Sequence, residues 1–105
     1  TKGKTNNNDL FTYNLKYNSF MLETKTNITL RICNLQKQNF LNIDLEDNNS
    51  LIITKQHKEI NINTNECKNV IFEIKPFLKG NTNIIFEIYN NFYNKIINQK
   101  INISG

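Results

Sequence analysis

The stretch VIFEIKPFLKGNTNIIFEIY, residues 70–89, decides the fold of this chain. It contains two runs in which apolar residues alternate with residues on the opposite phase, over residues 70–75 and 84–89. Alternation with a period of two, in β-branched and aromatic residues, is typical of strands that bury one face. The segment between the runs is too long and too apolar for a two-residue hairpin turn. We therefore predict that the chain crosses here from one sheet to a facing sheet, with Phe77 and Leu78 closing the open end of the core.

The same alternation recurs along the rest of the chain and predicts further short strands. These strands span residues 11–17, 27–33, 40–46, 51–54 and 92–103. Seven strands at spacings of about 8 to 12 residues, with no helical periodicity over any long window, are typical of two packed antiparallel sheets. The predicted fold class is therefore all-β, as a seven-stranded antiparallel immunoglobulin-like β-sandwich. In that topology strands one, two, four and five form one sheet, and strands three, six and seven form the other.

The segments between the strands are interpreted from their polarity and their turn residues. Residues 1–9 are polar and aperiodic, which predicts a flexible N-terminal segment ahead of a single domain over residues 10–105. Residues 47–50 have the short polar side chains of a turn, residues 56–59 are predicted to be a loop, and residues 60–63 are predicted to pair at a sheet edge. The apolar residues 20–22 are interpreted as an edge of the core, with a partner-binding role as the alternative.

The composition is that of a folded domain encoded by a genome rich in adenine and thymine. Asn and Ile are abundant, Trp is absent, and the 105 residues include a single Pro and three Gly. Such a skew is typical of certain parasitic and amoeboid protists, so many of the Asn residues are interpreted as neutral surface positions. The apolar share of 38% lies in short alternating runs, which argues against a disordered segment.

The formal charge of +4 comes from lysines scattered along the chain. Recognition of nucleic acid favours clustered Lys and Arg with stacking aromatic residues nearby, so we interpret the lysines as a solvated surface and predict no nucleic-acid partner. The sequence shows no initiator Met, no signal peptide and no apolar run of membrane-spanning length. We therefore expect a domain of a longer, membrane-anchored protein, which reaches a membrane only through that parent.

The two cysteines, Cys33 and Cys67, are predicted to form a disulfide. Cys33 ends the second predicted strand, and Cys67 comes just before the fifth. In the immunoglobulin-like topology the second and fifth strands are antiparallel neighbours. Both fall on the outward phase of their strands, so their side chains would meet on one face. Two free, buried thiols are the alternative. A bridge would indicate an oxidising compartment, and therefore an extracellular or cell-surface protein.

Three glycosylation sequons are compatible with that compartment. Asn27, Asn48 and Asn102 each begin the pattern Asn-x-Ser/Thr, in which the asparagine accepts a glycan in secreted proteins. A chain so rich in Asn also produces this pattern by chance, so both interpretations stay open.

The residues that carry chemistry predict no enzyme. His57 is the single histidine, and no second His, Cys or carboxylate stands beside it at metal-ligand spacing, which predicts an ordinary loop residue. The adjacent carboxylates Glu46 and Asp47 diverge on a strand or turn and form no acid–base couple. The three glycines form no phosphate loop, and the serines lack a base. No catalytic residue, metal site or cofactor is therefore predicted.

A protein-contact surface is predicted from apolar residues that fall on the outward phase of their strands. Ile85 and Tyr89 share the outward face of the sixth predicted strand, and Tyr93 follows in the turn region. This strand is the middle one of the predicted three-stranded sheet, so we expect its outer face to bind a neighbouring domain or another chain. Ile71 is also outward but on the opposite sheet. The alternative is a shift in register that leaves Ile84 and Ile85 both partly buried.

The runs ITLRICN and VIFEIKPFLKGNTNIIFEIYNN, with the ending KINISG, resemble immunoglobulin-like domains of the E-set and fibronectin type III kind over nearly the whole chain. Macroglobulin domains, the appendages of vesicle-coat adaptors and the third domain of class II fusion proteins share this pattern. The chain also resembles the third domain of the hapless, or generative-cell-specific, gamete fusogens, which has a Cys at the end of an early strand, as at Cys33. In that family the third domain folds back against the trimer core to draw two membranes together. The resemblance implies a mechanical role without chemistry.

We therefore expect a non-enzymatic extracellular immunoglobulin-like module of a protist surface protein, which mediates protein–protein contact in adhesion or gamete membrane fusion. The alternatives are an intracellular interaction module like a vesicle-coat appendage, and a macroglobulin-type structural domain. The intracellular module needs no disulfide and binds short peptides in a groove or at an open sheet edge. The redox state of Cys33 and Cys67 therefore separates the extracellular from the intracellular hypothesis.

Overall fold

The computed structural model describes residues 11–37, 39–46 and 56–105, and it shows an all-β chain. The strands are β1 (Phe11–Tyr17), β2 (Phe20–Met21), β3 (Thr26–Asn34), β4 (Asn39–Leu45), β5 (Gln56–Ile62), β6 (Cys67–Ile74), β7 (Gly80–Tyr89) and β8 (Asn94–Ser104). Within these ranges there is no helix with the length and apolar character needed to cross a membrane.

Alternation of apolar and polar residues explains why these segments form strands. In β6 the side chains of Val70, Phe72 and Ile74 are buried, and the residues between them are exposed. β7 repeats the pattern over its apolar run. The predicted phase of both strands is confirmed, and Ile84 is buried, as the outward position of Ile85 requires.

The strands form two sheets. β1, β3 and β6 form a three-stranded sheet in the order β1-β3-β6, and the remaining strands form a five-stranded sheet in the order β2-β8-β7-β4-β5. Hydrogen-bonded neighbours run antiparallel, except that β2 pairs with β8 in parallel. The connection between β6 and β7 therefore crosses from one sheet to the other, as the sequence predicts.

Apolar residues from both sheets form one core. The rings of Phe72 on β6 and Phe86 on β7 meet edge to face, with 5.1 Å between their centroids, so the two sheets pack against each other. Each fully buried aliphatic or aromatic side chain contributes about 1.5–3 kcal/mol to stability. Burial of this set is therefore the main favourable term that holds the sheets together.

The loop between β6 and β7 does not close the core in the way that the sequence suggests. Phe77 is 53% exposed and Leu78 is 57% exposed, so the prediction that they plug the open end is wrong. Pro76 is buried instead, and its carbonyl oxygen accepts a hydrogen bond from the backbone N–H of Glu23 (2.8 Å). The loop is thus held by its proline, and its two large apolar side chains face solvent.

The prediction of a loop at residues 56–59 is also wrong, because β5 begins at Gln56 and pairs with β4. Lys58 lies on the inward phase of this strand, where a charged residue interrupts the apolar pattern. Its ammonium lies 5.7 Å from the centroid of the Phe72 ring, so a cation–π contact accommodates the lysine at the margin of the core. The strand therefore forms in spite of the broken alternation.

Two further corrections concern the number and direction of the strands. β2 has only two residues, of which Phe20 is buried and Met21 is 47% exposed. Its parallel pairing with β8 makes the five-stranded sheet mixed, against the antiparallel sheets predicted. The described residues form eight strands, where the sequence predicts seven in the whole chain. β8 begins at Asn94, so Phe92, which the sequence places in the last strand, lies in the preceding loop and is 92% exposed.

Three predicted segments lie outside the described residues: the N-terminal segment at residues 1–9, the turn at residues 47–50 and the strand at residues 51–54. The other predicted strands separate between the sheets as expected. The first, second and fifth form the three-stranded sheet, and the third, sixth and seventh lie side by side in the five-stranded sheet.

Candidate protein-contact surface

The solvent side of the five-stranded sheet carries the residues that the sequence assigns to a protein contact. Ile85 and Tyr89 lie there on β7, which has β8 on one side and β4 on the other. Both side chains are half-buried. We call this surface the outer face. Its residues include Asn42, Asp44, His57, Glu59, Ile85, Glu87, Tyr89, Asn94 and Ile96.

An apolar pair lies on the part of the outer face formed by β7 and β8. Ile85 is paired in register with Asn98, and the next outward residue of β7, Glu87, is paired with Ile96. Ile85 and Ile96 are therefore diagonal neighbours on one face, a spacing within reach of long side chains. Ile96 is 55% exposed. It is not among the predicted contact residues, although its place beside the inward Ile97 puts it on the outward phase of the strand.

A buried carboxylate, Asp44, lies on the same face in β4. It is only 4% exposed, because it stands between His57 of β5 and Glu87 of β7 in the register. The hydroxyl of Tyr89 donates a hydrogen bond to its Oδ2 (3.1 Å), and Nδ1 of His57 lies 2.5 Å from its Oδ1. A buried charge is tolerated where it is paired and hydrogen-bonded, and these partners supply that condition.

His57 connects this carboxylate to a second one. Its Nε2 lies 3.0 Å from Oε2 of Glu59, so each ring nitrogen faces a carboxylate oxygen. The hydrogen bond to Asp44, followed by that to Glu59, raises the pKa of His57 above its ordinary value. His57 lies on β5, so its predicted place in a loop is wrong. Glu59 could be found from its spacing of two residues on the same strand face, whereas Asp44 is brought in only by the register of β4 and β5.

We expect the stability of the protein to rise as the pH falls from about 8 to about 6, and this rise to depend on His57. A raised pKa in the folded state means that the folded protein binds the proton more tightly than the unfolded chain does. The stabilisation is complete below the unfolded pKa of about 6.5 and is lost as the pH rises through the folded value. Urea denaturation midpoints of the wild type and His57→Gln over this range measure the effect. A variant that follows the wild-type curve would contradict the assignment.

Three carboxylates converge on the outer face. One oxygen each of Asp44, Glu46 and Glu87 lies within 4.8 Å of the others. Carboxylate oxygens suit a hard cation such as Ca²⁺, but both oxygens of Asp44 already accept the hydrogen bonds described above. Glu87 likewise accepts a hydrogen bond from Nδ2 of Asn94. The cluster therefore gives the outer face a negative character.

Tyr93, the third residue predicted at the contact, lies in a different environment. It precedes β8, is half-buried and packs edge-on against the buried Phe11, with 4.8 Å between the ring centroids. Its ring therefore lies at the margin of the core. The apolar part of the outer face consists of Ile85, Ile96 and Tyr89, together with Phe40 of β4, which is 45% exposed on the outward phase of that strand.

Cys33 and Cys67 form the predicted disulfide, on the solvent side of the three-stranded sheet. The two residues are paired directly across β3 and β6, with 4.0 Å between their Cα atoms. Both side chains are half-buried and lie on the outward phase, as the sequence indicates. The bridge therefore links neighbouring strands of one sheet, on the side of the molecule away from the outer face.

Two of the three sequon asparagines lie among the described residues, and both are exposed. Asn27 lies on β3 in the three-stranded sheet. Asn102 lies on β8, on the same side as Ile96, and its Nδ2 donates a hydrogen bond to Oδ1 of Asn81 (2.9 Å). Asn48 lies outside the described residues. Because glycan attachment requires an accessible side chain, Asn27 and Asn102 stay candidates.

The fold and this site define a class of all-β protein with two sheets around one core, a disulfide on one sheet, and an apolar pair beside carboxylates on the other. No protein-family profile and no curated protein sequence matches the chain. Among solved structures it is similar to a FixG-related protein from Vibrio parahaemolyticus, with a TM-score of 0.68 and 15% sequence identity. The match covers 90% of this chain and 97% of that one. At this level of identity the similarity shows a shared fold alone.

Proposed function

We propose that the chain is an immunoglobulin-like β-sandwich module of a secreted or cell-surface protein, and that it binds a protein partner through the outer face. The strand order supports the immunoglobulin-like assignment. β1, β3 and β6 correspond to strands A, B and E of that fold, and β4, β7 and β8 to strands C, F and G. β5 then takes the place of the extra strand that lies beside strand C in variable-type domains.

The observation that carries the proposal is the apolar pair Ile85 and Ile96, which adjoin each other on the solvent side of a sheet that also exposes Phe40. Exposed apolar side chains that adjoin one another mark contact sites, because burying them against a partner is favourable. Glu46 and Glu87 add negative charge nearby, on a chain whose net charge is +4. An apolar centre with a polar rim is the usual composition of a protein interface.

The hydrogen bonds of His57 support a non-enzymatic role. A general base needs a ring nitrogen that can accept a proton from a substrate or a nucleophile. In His57 one ring nitrogen faces Asp44 and the other faces Glu59. These two hydrogen bonds suit a histidine that contributes to the architecture of the outer face.

The bridge between Cys33 and Cys67 supports placement in an oxidising compartment. We propose the hapless gamete fusogens as the family of the parent protein, on the sequence resemblance and on the position of Cys33 near the end of an early strand. The module would then act mechanically, by contact with neighbouring domains or with a second chain. The full-length gene is the direct check, since this proposal requires a signal peptide and a membrane-spanning segment in the parent. The intracellular and macroglobulin-type alternatives stay predictions.

Ile85→Ser combined with Ile96→Ser should abolish binding to the partner and leave the thermal midpoint within a few degrees of the wild type. Ile96 is more than half exposed, so its truncation removes little packing in the core. Tyr89 is left in place because its hydroxyl holds the buried Asp44. Binding is measured with fluorescent multimers of the domain on cells that carry the parent protein, and folding by circular dichroism.

Ile71→Ser is the matched control, since Ile71 is 52% exposed on the solvent side of the other sheet. It should bind as the wild type does. A loss of several kcal/mol in the double variant, as expected for truncated core side chains, would show that Ile85 and Ile96 belong to the core and that the proposed contact is wrong.

A further inference from the structure

One end of the molecule carries exposed apolar side chains set among lysines. The loop between β6 and β7 has the sequence KPFLK at residues 75–79. Phe77 and Leu78 are each more than half exposed at the centre of this loop. Met21, at the end of β2, is 47% exposed at the same end of the molecule. The backbone hydrogen bond between the segment after β2 and Pro76 holds the two apolar segments together.

Three lysines accompany these side chains. Lys25 and Lys75 lie just outside the same end of the three-stranded sheet, because their neighbours Thr26 and Ile74 are paired across β3 and β6. The third lysine is Lys79, the last residue of the KPFLK loop. Within the described segments that meet at this end, two acids, Glu23 and Glu73, stand against the three lysines. We call this group the tip. It consists of Met21, Lys25, Lys75, Phe77, Leu78 and Lys79.

The charge around the apolar group favours an anionic lipid surface as its partner. Lysines accompany Phe77, Leu78 and Met21, whereas the apolar pair of the outer face lies beside carboxylates. A lipid surface requires no complementary shape, since one or two large apolar side chains can enter the boundary between headgroups and acyl chains while lysines stay at the headgroups.

We propose that the tip binds a membrane surface that contains anionic phospholipid, with Phe77 and Leu78 inserted among the lipids and the three lysines at the phosphate groups. The lysines supply charge complementarity, because each Lys near an anionic surface strengthens binding about fivefold. This adds a direct lipid contact to a module for which the sequence predicts membrane association only through its parent. The contact is independent of the outer face, so either one can fail without the other.

Phe77→Trp tests insertion directly, because the chain contains no tryptophan of its own. Its fluorescence should shift to shorter wavelength when vesicles of phosphatidylcholine with phosphatidylserine are added, and should be quenched by acyl chains that carry bromine. Phe92→Trp is the matched control. Phe92 is 92% exposed in the loop between β7 and β8, at the opposite end of the molecule, and its neighbours there are neutral. Its fluorescence should not change.

Co-sedimentation with the same vesicles separates the apolar from the electrostatic contribution to membrane binding. Phe77→Ser with Leu78→Ser should remove binding, and Lys75→Gln with Lys79→Gln should weaken it about 25-fold. Added salt should weaken wild-type binding, because it screens the lysines. Unchanged thermal midpoints confirm that the variants fold.

Three outcomes would overturn the proposal. Binding that survives the loss of Phe77 and Leu78 would leave only a general electrostatic attraction and exclude insertion. Equal binding to vesicles of phosphatidylcholine alone would exclude the role of the lysines. Absence of vesicle binding would exclude a membrane, and saturable binding to polyglutamate in its place would identify an acidic protein as the partner of the tip.

Discussion

Alanine at both Cys33 and Cys67 should lower the free energy of unfolding by about 3 to 4 kcal/mol. The bridge joins residues with a sequence separation of 34, and such a cross-link acts mainly by removing conformational entropy from the unfolded chain. A domain of this kind is stable by about 5–15 kcal/mol, so the loss is a large fraction of the total. Urea denaturation should show a lower midpoint, with a steeper dependence on urea because the unfolded chain expands.

Reductant separates the loss of the cross-link from the loss of the side chains. It should bring the wild type close to the stability of the double variant and leave the variant itself unchanged. Mass spectrometry after alkylation without reductant tests the bridge in protein secreted from cells, where neither cysteine should be modified. Two alkylated cysteines would overturn the bridge and favour the intracellular interaction module.

This bridge could be predicted because it depends on strand phase and on the neighbours within a sheet. The alternation of apolar and polar side chains shows which face of each strand is buried, since burial of apolar surface is the largest favourable term in folding. β3, β4, β6 and β7 were predictable for the same reason. β2 and the first half of β5 are not predictable, because two residues give no period and because Lys58 stands where an apolar residue is expected. The second half of β5 forms the edge pairing predicted for residues 60–63.

The cluster around Asp44 could not be predicted, because it depends on the offset between strands that are distant in sequence. Asp44, His57 and Tyr89 meet only because β4 lies between β5 and β7 and pairs with each at one particular offset. A slip of one residue in β5 would turn His57 to the other side of the sheet. Periodicity defines the phase of each strand but carries no information on these offsets.

A single buried amide, Asn34, joins the two connections between the sheets at the end of the molecule opposite the tip. It is 1% exposed at the end of β3. Its Nδ2 lies between 2.8 and 3.2 Å from four carbonyl oxygens, those of Gln36, Lys37, Ile62 and Asn63. The first two belong to the connection from β3 to β4, and the other two lie where β5 leads into the connection to β6. One side chain therefore supports both crossovers.

Nothing in the sequence distinguishes Asn34 from the many other asparagines. In a chain with this composition most of them are interpreted as surface positions, and a burial pattern based on apolar residues passes over a buried amide. The signal that identifies Asn34 is its set of carbonyl partners, which exists only once the loops have folded around it.

Asn34→Leu should lower the free energy of unfolding by about 3 kcal/mol, because a side chain of similar size leaves several carbonyl oxygens without their donor. Each buried polar group left without a partner costs about 1–3 kcal/mol. Urea denaturation measures the loss. Asn14→Ala is the control, since Asn14 is exposed on β1, and it should stay within about 0.5 kcal/mol of the wild type.

Asn34→Asp separates hydrogen-bond donation from side-chain size. The carboxylate keeps the shape of the amide but places an oxygen against the same carbonyl oxygens, so at neutral pH it should destabilise at least as much as leucine does. Protonation of the carboxyl restores a donor, so the deficit relative to the wild type should shrink in acid. If Asn34→Asp were as stable as the wild type at neutral pH, donation by the amide would contribute nothing. The crossovers would then depend on backbone bonds that both variants retain, from Asn34 N–H to the Glu66 carbonyl and from Asn65 N–H to the Asn34 carbonyl, each 2.9 Å.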